Sequence, residues 1–227
     1  MPDPLFIFML TRGDATVPDA ARAADEAIAA GVRHIGFKDV GVSAGELRAL
    51  AGRLRAAGVT VYLEVVSLDE DGELASAELA RDLRVDVLMG GVRPRAVAPR
   101  LRRAPIRYFP FAGRIAGHPS ALAGSQDEIV ESAREVAALP GVDGLDLLAW
   151  RSAHDGGDLA RRVCAAVSKP VVVAGSVDCA DRVAAVRRAG AHAFTVGTAA
   201  LDGVFPAGAP GLAGQLTAIA AAARSGG

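Results

Sequence analysis

Short apolar runs alternate with amphipathic segments along the whole chain. Leu5 to Leu10, His34 to Asp39 and Thr60 to Val66 each have the length of a buried strand, and each is followed by a segment with helical spacing. Gly31 and Gly58 lie just past two of the predicted helices, where glycine commonly ends a helix. The pattern predicts roughly eight strand–helix units, which is the composition of a (β/α)8 (TIM) barrel.

The remaining units follow the same rhythm. The other predicted strands are Val85 to Met89, Ile106 to Phe111, Val142 to Trp150, Pro170 to Val173 and Ala193 to Val196. The predicted helices include Pro18 to Ala30, Glu70 to Leu83, Pro94 to Arg103, Gln126 to Ala138 and Gly157 to Val167. Ser43 and Glu46 have the spacing of a capping box and predict the start of helix two. No polar linker divides the 227 residues, so we expect one domain over 1–227.

Two consecutive strands near the end of the chain run into small-residue turns. Strand seven leads into Ala174, Gly175 and Ser176, and strand eight leads into Gly197 and Thr198. Glycine allows a backbone to approach a ligand closely, and bare N–H groups beside a helix N-terminus bind anions. The last two such turns of a barrel are the usual phosphate site, so we expect a phosphate monoester here. The alternative is that these glycines only make tight turns.

These turns carry a resemblance to known proteins. Residues 169–203 resemble the phosphate-binding end of the ribulose-phosphate-binding barrels, which include the histidine-pathway barrels, phosphoribosylanthranilate isomerase and the sugar-phosphate epimerases and decarboxylases. The close match covers about the last quarter of the chain, while the strand–helix rhythm covers all of it. The resemblance implies a barrel that acts on a small phosphorylated metabolite, without specifying the reaction.

Three charged residues are predicted to converge in the mouth of this barrel. Alternation places Lys38 at the inward-facing end of strand two, because its neighbours Ile35 and Phe37 suit the helix side. Glu64 ends strand three, and a carboxylate between sheet and helix would be costly, so it also faces the mouth. Asp146 on strand six is assigned inward in the same way. A buried ion-pair network that only closes the barrel is the structural alternative.

The trio permits three functions. The leading hypothesis is an aldolase-like lyase, in which Lys38 with a lowered pKa would form an imine while Glu64 and Asp146 carry protons. As a sugar-phosphate isomerase or epimerase, a charged Lys38 would stabilise an enediolate while a carboxylate moves a proton between carbons. The third function is a non-catalytic barrel that binds a phosphometabolite. Imine trapping with borohydride separates the first function from the other two.

A narrower resemblance favours lyase chemistry slightly. The (5-formylfuran-3-yl)methyl phosphate synthases resemble this chain in having an imine-forming lysine at the end of an early strand, as in Phe37-Lys38-Asp39, and a late-strand aspartate, as at Asp146. The later lysine of that family is absent, since Trp150 and Arg151 occupy the region. The histidine-pathway isomerases place aspartates at the ends of strands one and five. Here Asp14 lies beyond strand one and strand five is followed by no aspartate, which counts against their reaction.

Four further residues are secondary candidates for substrate binding. Arg12 and Arg114 follow strands one and five and would bind a carboxylate or a second phosphate, unless they are surface charges. His118 lies in the long loop from Gly113 to Ser125, where it is either an acid–base group on a lid or an exposed histidine. Trp150 either stacks on a substrate ring or caps the core.

A weak internal repeat of the glycine turns suggests a second anion site. Gly90-Gly91 after strand four parallels Gly197 after strand eight, as in the doubled half-barrels that the histidine-pathway proteins resemble. A simple tight turn is the better-supported interpretation.

Composition and charge limit the partners, the cellular location and the cofactors that we expect. The net charge is -1 and no apolar run approaches a membrane span, so we expect neither nucleic acid nor membrane as partner. Cys164 and Cys179 fit neither a zinc nor a redox spacing, and the N-terminus shows no signal peptide, so reduced thiols in a cytoplasmic protein are expected. We expect no cofactor and no metal, although Glu64 and Asp146 could hold magnesium through water. A homo-oligomer remains open.

Overall fold

Eight parallel strands surround a common axis in the computed structural model, which describes residues 3–205 and 210–224. The strands are β1 (Leu5–Met9), β2 (His34–Lys38), β3 (Thr60–Val65), β4 (Val87–Gly90), β5 (Arg107–Phe109), β6 (Leu145–Leu147), β7 (Val171–Val173) and β8 (Ala193–Val196). Within the sheet, β1 pairs with both β2 and β8, and every pairing is parallel.

Backbone hydrogen bonds between β5 and β6 close the circle. The Asp143 N–H donates to Tyr108 O over 2.8 Å, and the Asp146 N–H donates to Pro110 O over 2.9 Å. The carbonyl of Asp146 accepts from the Ala112 N–H at 3.1 Å. The predicted (β/α)8 barrel is therefore confirmed.

Helices cover the outside of the barrel and connect its strands. They are α1 (Ala20–Ala29), α2 (Ala44–Ala56), α3 (Glu70–Leu83), α4 (Pro94–Leu101), α5 (Gln126–Ala137), α6 (Gly156–Ala166), α7 (Ala180–Arg188), α8 (Thr198–Leu201) and α9 (Gly211–Arg224). The predicted capping box is confirmed, since the Ser43 side chain accepts the Glu46 N–H and Glu46 accepts the Ser43 N–H. No described helix combines the length and the apolarity that crossing a bilayer requires.

The barrel has two apolar cores, and the alternation along β2 shows how they are separated. Ile35 and Phe37 are fully buried in the core between strands and helices, as predicted, whereas Lys38 faces the inside. The inside is packed by a smaller cluster of eight residues: Ile7, Met9, Tyr62, Val87, Met89, Phe109, Val172 and Ala193. This cluster fills the lower part of the barrel, and the buried charged residues Lys38 and Glu64 lie above it, at the C-terminal mouth.

Two predicted segments differ from the structure. Strand six ends at Leu147 rather than at Trp150, and Ala149–Arg151 form a 3₁₀ turn because the chain leaves the barrel there toward α6. The predicted loop after strand five contains a hairpin of Arg114–Ala116 with Ala121–Ala123, called here the second hairpin. Its three-residue strands are too short for their alternation to be recognised.

Candidate active site

A small hairpin after β1 closes over the barrel mouth. Thr11–Arg12 pairs with Ala15–Thr16, and the two turn residues Gly13 and Asp14 have φ of +57° and +63°. Positive φ at both central residues is the type I′ turn that suits a two-residue hairpin. The Thr16 hydroxyl bonds both the N–H and the C=O of Lys38 at 2.8 Å, which fixes the hairpin to the end of β2.

Lys38 lies between two carboxylates in the mouth. Its Nζ is 2.9 Å from Oε1 of Glu64 and 3.1 Å from Oδ1 of Asp14. All three side chains are buried, with only 6 %, 6 % and 2 % of the Lys38, Glu64 and Asp14 side chains exposed. Burial alone would lower the pKa of Lys38, but the two carboxylates outweigh it and raise that pKa above its ordinary value. The side chain is therefore held as an ammonium ion.

Asp14 connects three separate segments of the chain. Besides Lys38, it accepts the Ser120 N–H of the second hairpin at 2.8 Å and the Arg151 guanidinium at 2.9 Å to each oxygen. Burial would raise the pKa of Asp14, but Lys38, the Ser120 N–H and Arg151 together lower it to about 2. Asp14 is thus a fixed negative charge that aligns Lys38 and Arg151.

Asp146 is the most deeply buried acid of the group. Its side chain is 0 % exposed, and within the described part of the chain neither carboxyl oxygen has a hydrogen-bond partner. Burial, and then the negative charge of Glu64, raise the pKa of Asp146 well above its ordinary value. Burial and the charge of Glu64 thus favour the uncharged form of this carboxyl, against the weaker opposing effects of Lys38 and Arg151.

A cavity of about 200 Å³ opens above these groups. On one side it is bounded by Asp14, Lys38 and Glu64, and on the other by the turns after β7 and β8. Its remaining lining residues are Met9, Thr11, Leu148, Arg151, Thr195, Val196 and Val204. Asp146 is not among the lining residues, so a ligand in the cavity would meet Glu64 and Lys38 first.

The two glycine turns form the other wall of this cavity. A Cβ atom on Gly197 would lie 2.8 Å from the Thr11 carbonyl oxygen, so this position requires glycine. Gly175 has φ of +74°, and the Arg151 side chain packs against its Cα. Within residues 3–205 and 210–224, the N–H groups of Ser176 and Thr198 have no protein acceptor. The wall thus combines free backbone donors with one guanidinium.

An acidic residue at this wall is neutralised by a neighbouring arginine. Asp178 lines the cavity and accepts from Arg182 Nη1 at 2.8 Å. The Arg182 guanidinium also donates to the Ser176 carbonyl and lies 5.9 Å from the centre of the Trp150 ring. Trp150 therefore packs on the outer side of the turn, against α6, and does not line the cavity.

The other secondary candidates also lie away from the cavity. Arg12 is exposed and forms an ion pair with Asp202 at 2.6 Å. Arg114 and His118 lie exposed on the second hairpin, and neither lines the cavity. Among the described residues, these side chains have no contact with the Lys38 group.

Asp14, Arg151 and Thr195 belong to the site although the sequence pattern did not indicate them. Asp14 lies beyond strand one in the sequence, yet the hairpin turns it back into the mouth. The dipeptide Gly13-Asp14 between two short segments is a hairpin signal that could have indicated this. Arg151 and Thr195 also line the cavity; Thr195 could have been found from the alternation along β8, where it faces inward at 6 % exposure.

Comparison with known proteins shows a similarity of fold. No family model matches the chain, and no curated protein matches it. A chain of tryptophan synthase from M. tuberculosis superposes with a TM-score of 0.70 at 16 % identity, over 99 % of this chain and 94 % of that chain. Phosphoribosylanthranilate isomerase from Thermotoga maritima gives 0.65 at 14 % identity, over 98 % and 99 %. A native KDPGal structure gives 0.66 at 17 % identity, over 99 % and 96 %.

Proposed function

We propose that this barrel is an enzyme that binds a small phosphorylated carbonyl compound and moves a proton at the carbon beside the carbonyl group. The reaction class is that of a sugar-phosphate isomerase or epimerase. Support for an enzyme of phosphorylated metabolites comes from the similarity to phosphoribosylanthranilate isomerase, a barrel of the same fold. The choice of reaction rests on the residues of the mouth.

The charge state of Lys38 carries the proposal. An amine must be neutral to attack a carbonyl, but Glu64 and Asp14 hold this one as an ammonium ion. A buried ammonium ion is suited instead to stabilising the negative oxygen of an enediolate. Since Lys38 lines the cavity, a substrate carbonyl oxygen can reach it directly.

The glycine turns supply the phosphate end of the proposed site. Ser176 and Thr198 offer unpaired N–H groups, with the supporting residues Ala174, Gly175 and Gly197 forming the turns themselves. Arg151 brings a positive charge to the same wall, and its bond to Asp14 leaves other guanidinium N–H groups free for a phosphate oxygen.

Glu64 carries the proton in this proposal. Glu64 removes the proton from the carbon beside the carbonyl, the electron pair moves to the carbonyl oxygen, and Lys38 stabilises the resulting oxyanion. The proton held by Glu64 exchanges with water in the open cavity. For an isomerase, Glu64 then protonates the neighbouring carbon while the hydroxyl proton on that carbon moves to the former carbonyl oxygen. For an epimerase, Glu64 releases its proton to water and a water molecule protonates the same carbon from the other face. Asp146 lies behind the cavity wall, so it acts through Glu64 by keeping an uncharged carboxyl beside it.

One observation favours aldolase-like cleavage as the second candidate. Glu64 lies 2.9 Å from Lys38 Nζ and is placed to accept the proton that the ammonium must lose before it forms an imine. Substrate binding would have to shift that balance, because the resting contacts favour the charged amine.

The test is proton exchange in D₂O. The protein is incubated with a panel of triose, tetrose and pentose phosphates, and the loss of each carbon-bound proton signal is followed by ¹H NMR. We expect exchange beside the carbonyl of at least one compound, its abolition in Glu64→Gln, and no effect in the control Glu131→Gln, whose side chain is exposed on α5.

Two other outcomes would favour a different function for the protein. A mass increase after sodium borohydride that maps to Lys38 would establish the lyase candidate. Thermal stabilisation by a phosphorylated compound, with neither exchange nor adduct for any member of the panel, would leave a non-catalytic binding protein.

A further inference from the structure

The turn after β4 repeats the glycine pattern of the turns after β7 and β8. Gly90 and Gly91 have φ of +76° and +77°, and α4 begins three residues later at Pro94. The Arg93 side chain does not cap this helix. Backbone donors beside a helix N-terminus would be available to an anion in such a turn.

A side chain of the protein already occupies these donors. Glu73 on α3 accepts the Val92 N–H at 2.7 Å through Oε1 and the Arg93 N–H at 2.9 Å through Oε2. Glu73 is 0 % exposed, and a Cβ atom on Gly91 would lie 2.6 Å from Oε2. The carboxylate therefore lies where two oxygens of a bound phosphate would accept the same hydrogen bonds.

The cavity in the barrel mouth is lined by residues from one side of the barrel. None of its lining residues lies between positions 65 and 147, so the turns after β4 and β5 contribute nothing to it among the described residues. At about 200 Å³ it is smaller than the pockets that hold drug-sized ligands.

We propose that Glu73 is a specificity determinant that restricts the substrate to a single phosphate group. The inference rests on the proposed function, in which that phosphate binds at Ser176 and Thr198. In the opposite turn, which would receive a second phosphate, an internal carboxylate occupies the Val92 and Arg93 N–H groups and repels an anion. The substrate class is a small carbonyl monophosphate, and bisphosphates are excluded.

The test compares phosphate stoichiometry and matched ligands by calorimetry. Wild-type protein is expected to bind one inorganic phosphate per chain, and to bind ribulose 1,5-bisphosphate no more tightly than ribulose 5-phosphate. Glu73→Ala frees the Val92 and Arg93 N–H groups and is expected to bind a second phosphate. Glu73→Gln fills the same space with an acceptor oxygen and serves as the matched control, with one phosphate expected.

Each result separates this inference from the proposed function. A wild-type chain that binds two phosphates, or that prefers the bisphosphate by about tenfold or more, overturns the inference alone. A folded Glu73→Ala variant that gains no second phosphate overturns it as well. A wild-type chain that binds no phosphate in any form overturns the proposed function and this inference together. If Glu73→Ala does not fold, the inference is still tested by the phosphate stoichiometry of the wild-type chain and by its relative affinity for the bisphosphate and the monophosphate.

Discussion

Lys38 and Glu64 are direct register partners on β2 and β3, and their side chains meet at 2.9 Å inside the barrel mouth. Neighbouring parallel strands bring such partners to the same height, so the contact follows from strand register rather than from loop conformation. With Asp14 and Arg151 the group holds two positive and two negative charges, which balance. A further negative charge on Asp146 would break that balance, in agreement with its raised pKa.

Replacing Lys38 tests whether this balance stabilises the fold. In Lys38→Met, the buried Asp14 and Glu64 carboxylates lose their shared counter-ion, and breaking a buried pair costs about 3–5 kcal/mol. We expect that loss in the unfolding free energy from urea titration, together with a fall in turnover of about 100-fold to 1000-fold.

A double variant provides the control for Lys38. Because Lys38 and Glu64 form one pair, Lys38→Met combined with Glu64→Gln should destabilise by less than the sum of the two single changes. Additive losses would mean that the two side chains do not interact.

Asp146→Asn is expected to stabilise the protein toward neutral pH. Because the folded-state pKa of Asp146 is raised above the ordinary 3.8, the native state retains a proton that the unfolded chain releases. Stability is therefore lost as pH rises from that ordinary value toward the folded-state pKa, and an uncharged amide removes this loss. In urea titrations from acid to neutral pH, the unfolding free energy of the variant should increase relative to that of the parent as pH rises. Parallel dependences of the two unfolding free energies on pH would contradict the raised pKa of Asp146.

The sequence was sufficient for the barrel because the barrel depends on local periodicity. The bounds of α3 were predicted residue for residue, and the alternation along β2 placed Lys38 inward and Phe37 outward. Both features follow from side-chain spacing alone, which the apolar pattern records directly.

The charge state of the site depends on contacts that no local pattern encodes. Asp14 reaches Lys38 through a hairpin of two-residue strands, and it bonds Ser120, which is 106 positions away in the chain. Without Asp14 in the group, burial of Lys38 suggests a lysine whose pKa is lowered. With it, the pKa is raised, and the preferred chemistry changes from imine formation to oxyanion stabilisation.

Gly197→Ala tests the close approach at the turn after β8. The added Cβ would lie 2.8 Å from the Thr11 carbonyl oxygen and 2.9 Å from that of Met9, and these backbone atoms cannot rotate away. We expect loss of phosphate binding and a destabilisation of about 1–3 kcal/mol, as for overpacking. The matched control is Gly52→Ala within α2, where a Cβ meets nothing within 4 Å. That change should stabilise by about 0.5–1 kcal/mol without affecting binding. If the two variants changed phosphate binding and stability equally, the close backbone approach at Gly197 would not explain the effect.

Arg151→Met distinguishes the arginine in the cavity from Arg114, one of the two arginines that the sequence indicated as candidates. Arg151 packs against Gly175 and is held by Asp14, whereas Arg114 is exposed on the second hairpin. Because a charge-assisted bond to a phosphate is worth about 1.5–3 kcal/mol, the affinity for inorganic phosphate should fall by roughly 10-fold to 100-fold in Arg151→Met. Arg114→Met should retain the parent affinity. If calorimetry instead shows the loss in Arg114→Met and none in Arg151→Met, the phosphate binds on the second hairpin, and the assignment of the glycine turns fails.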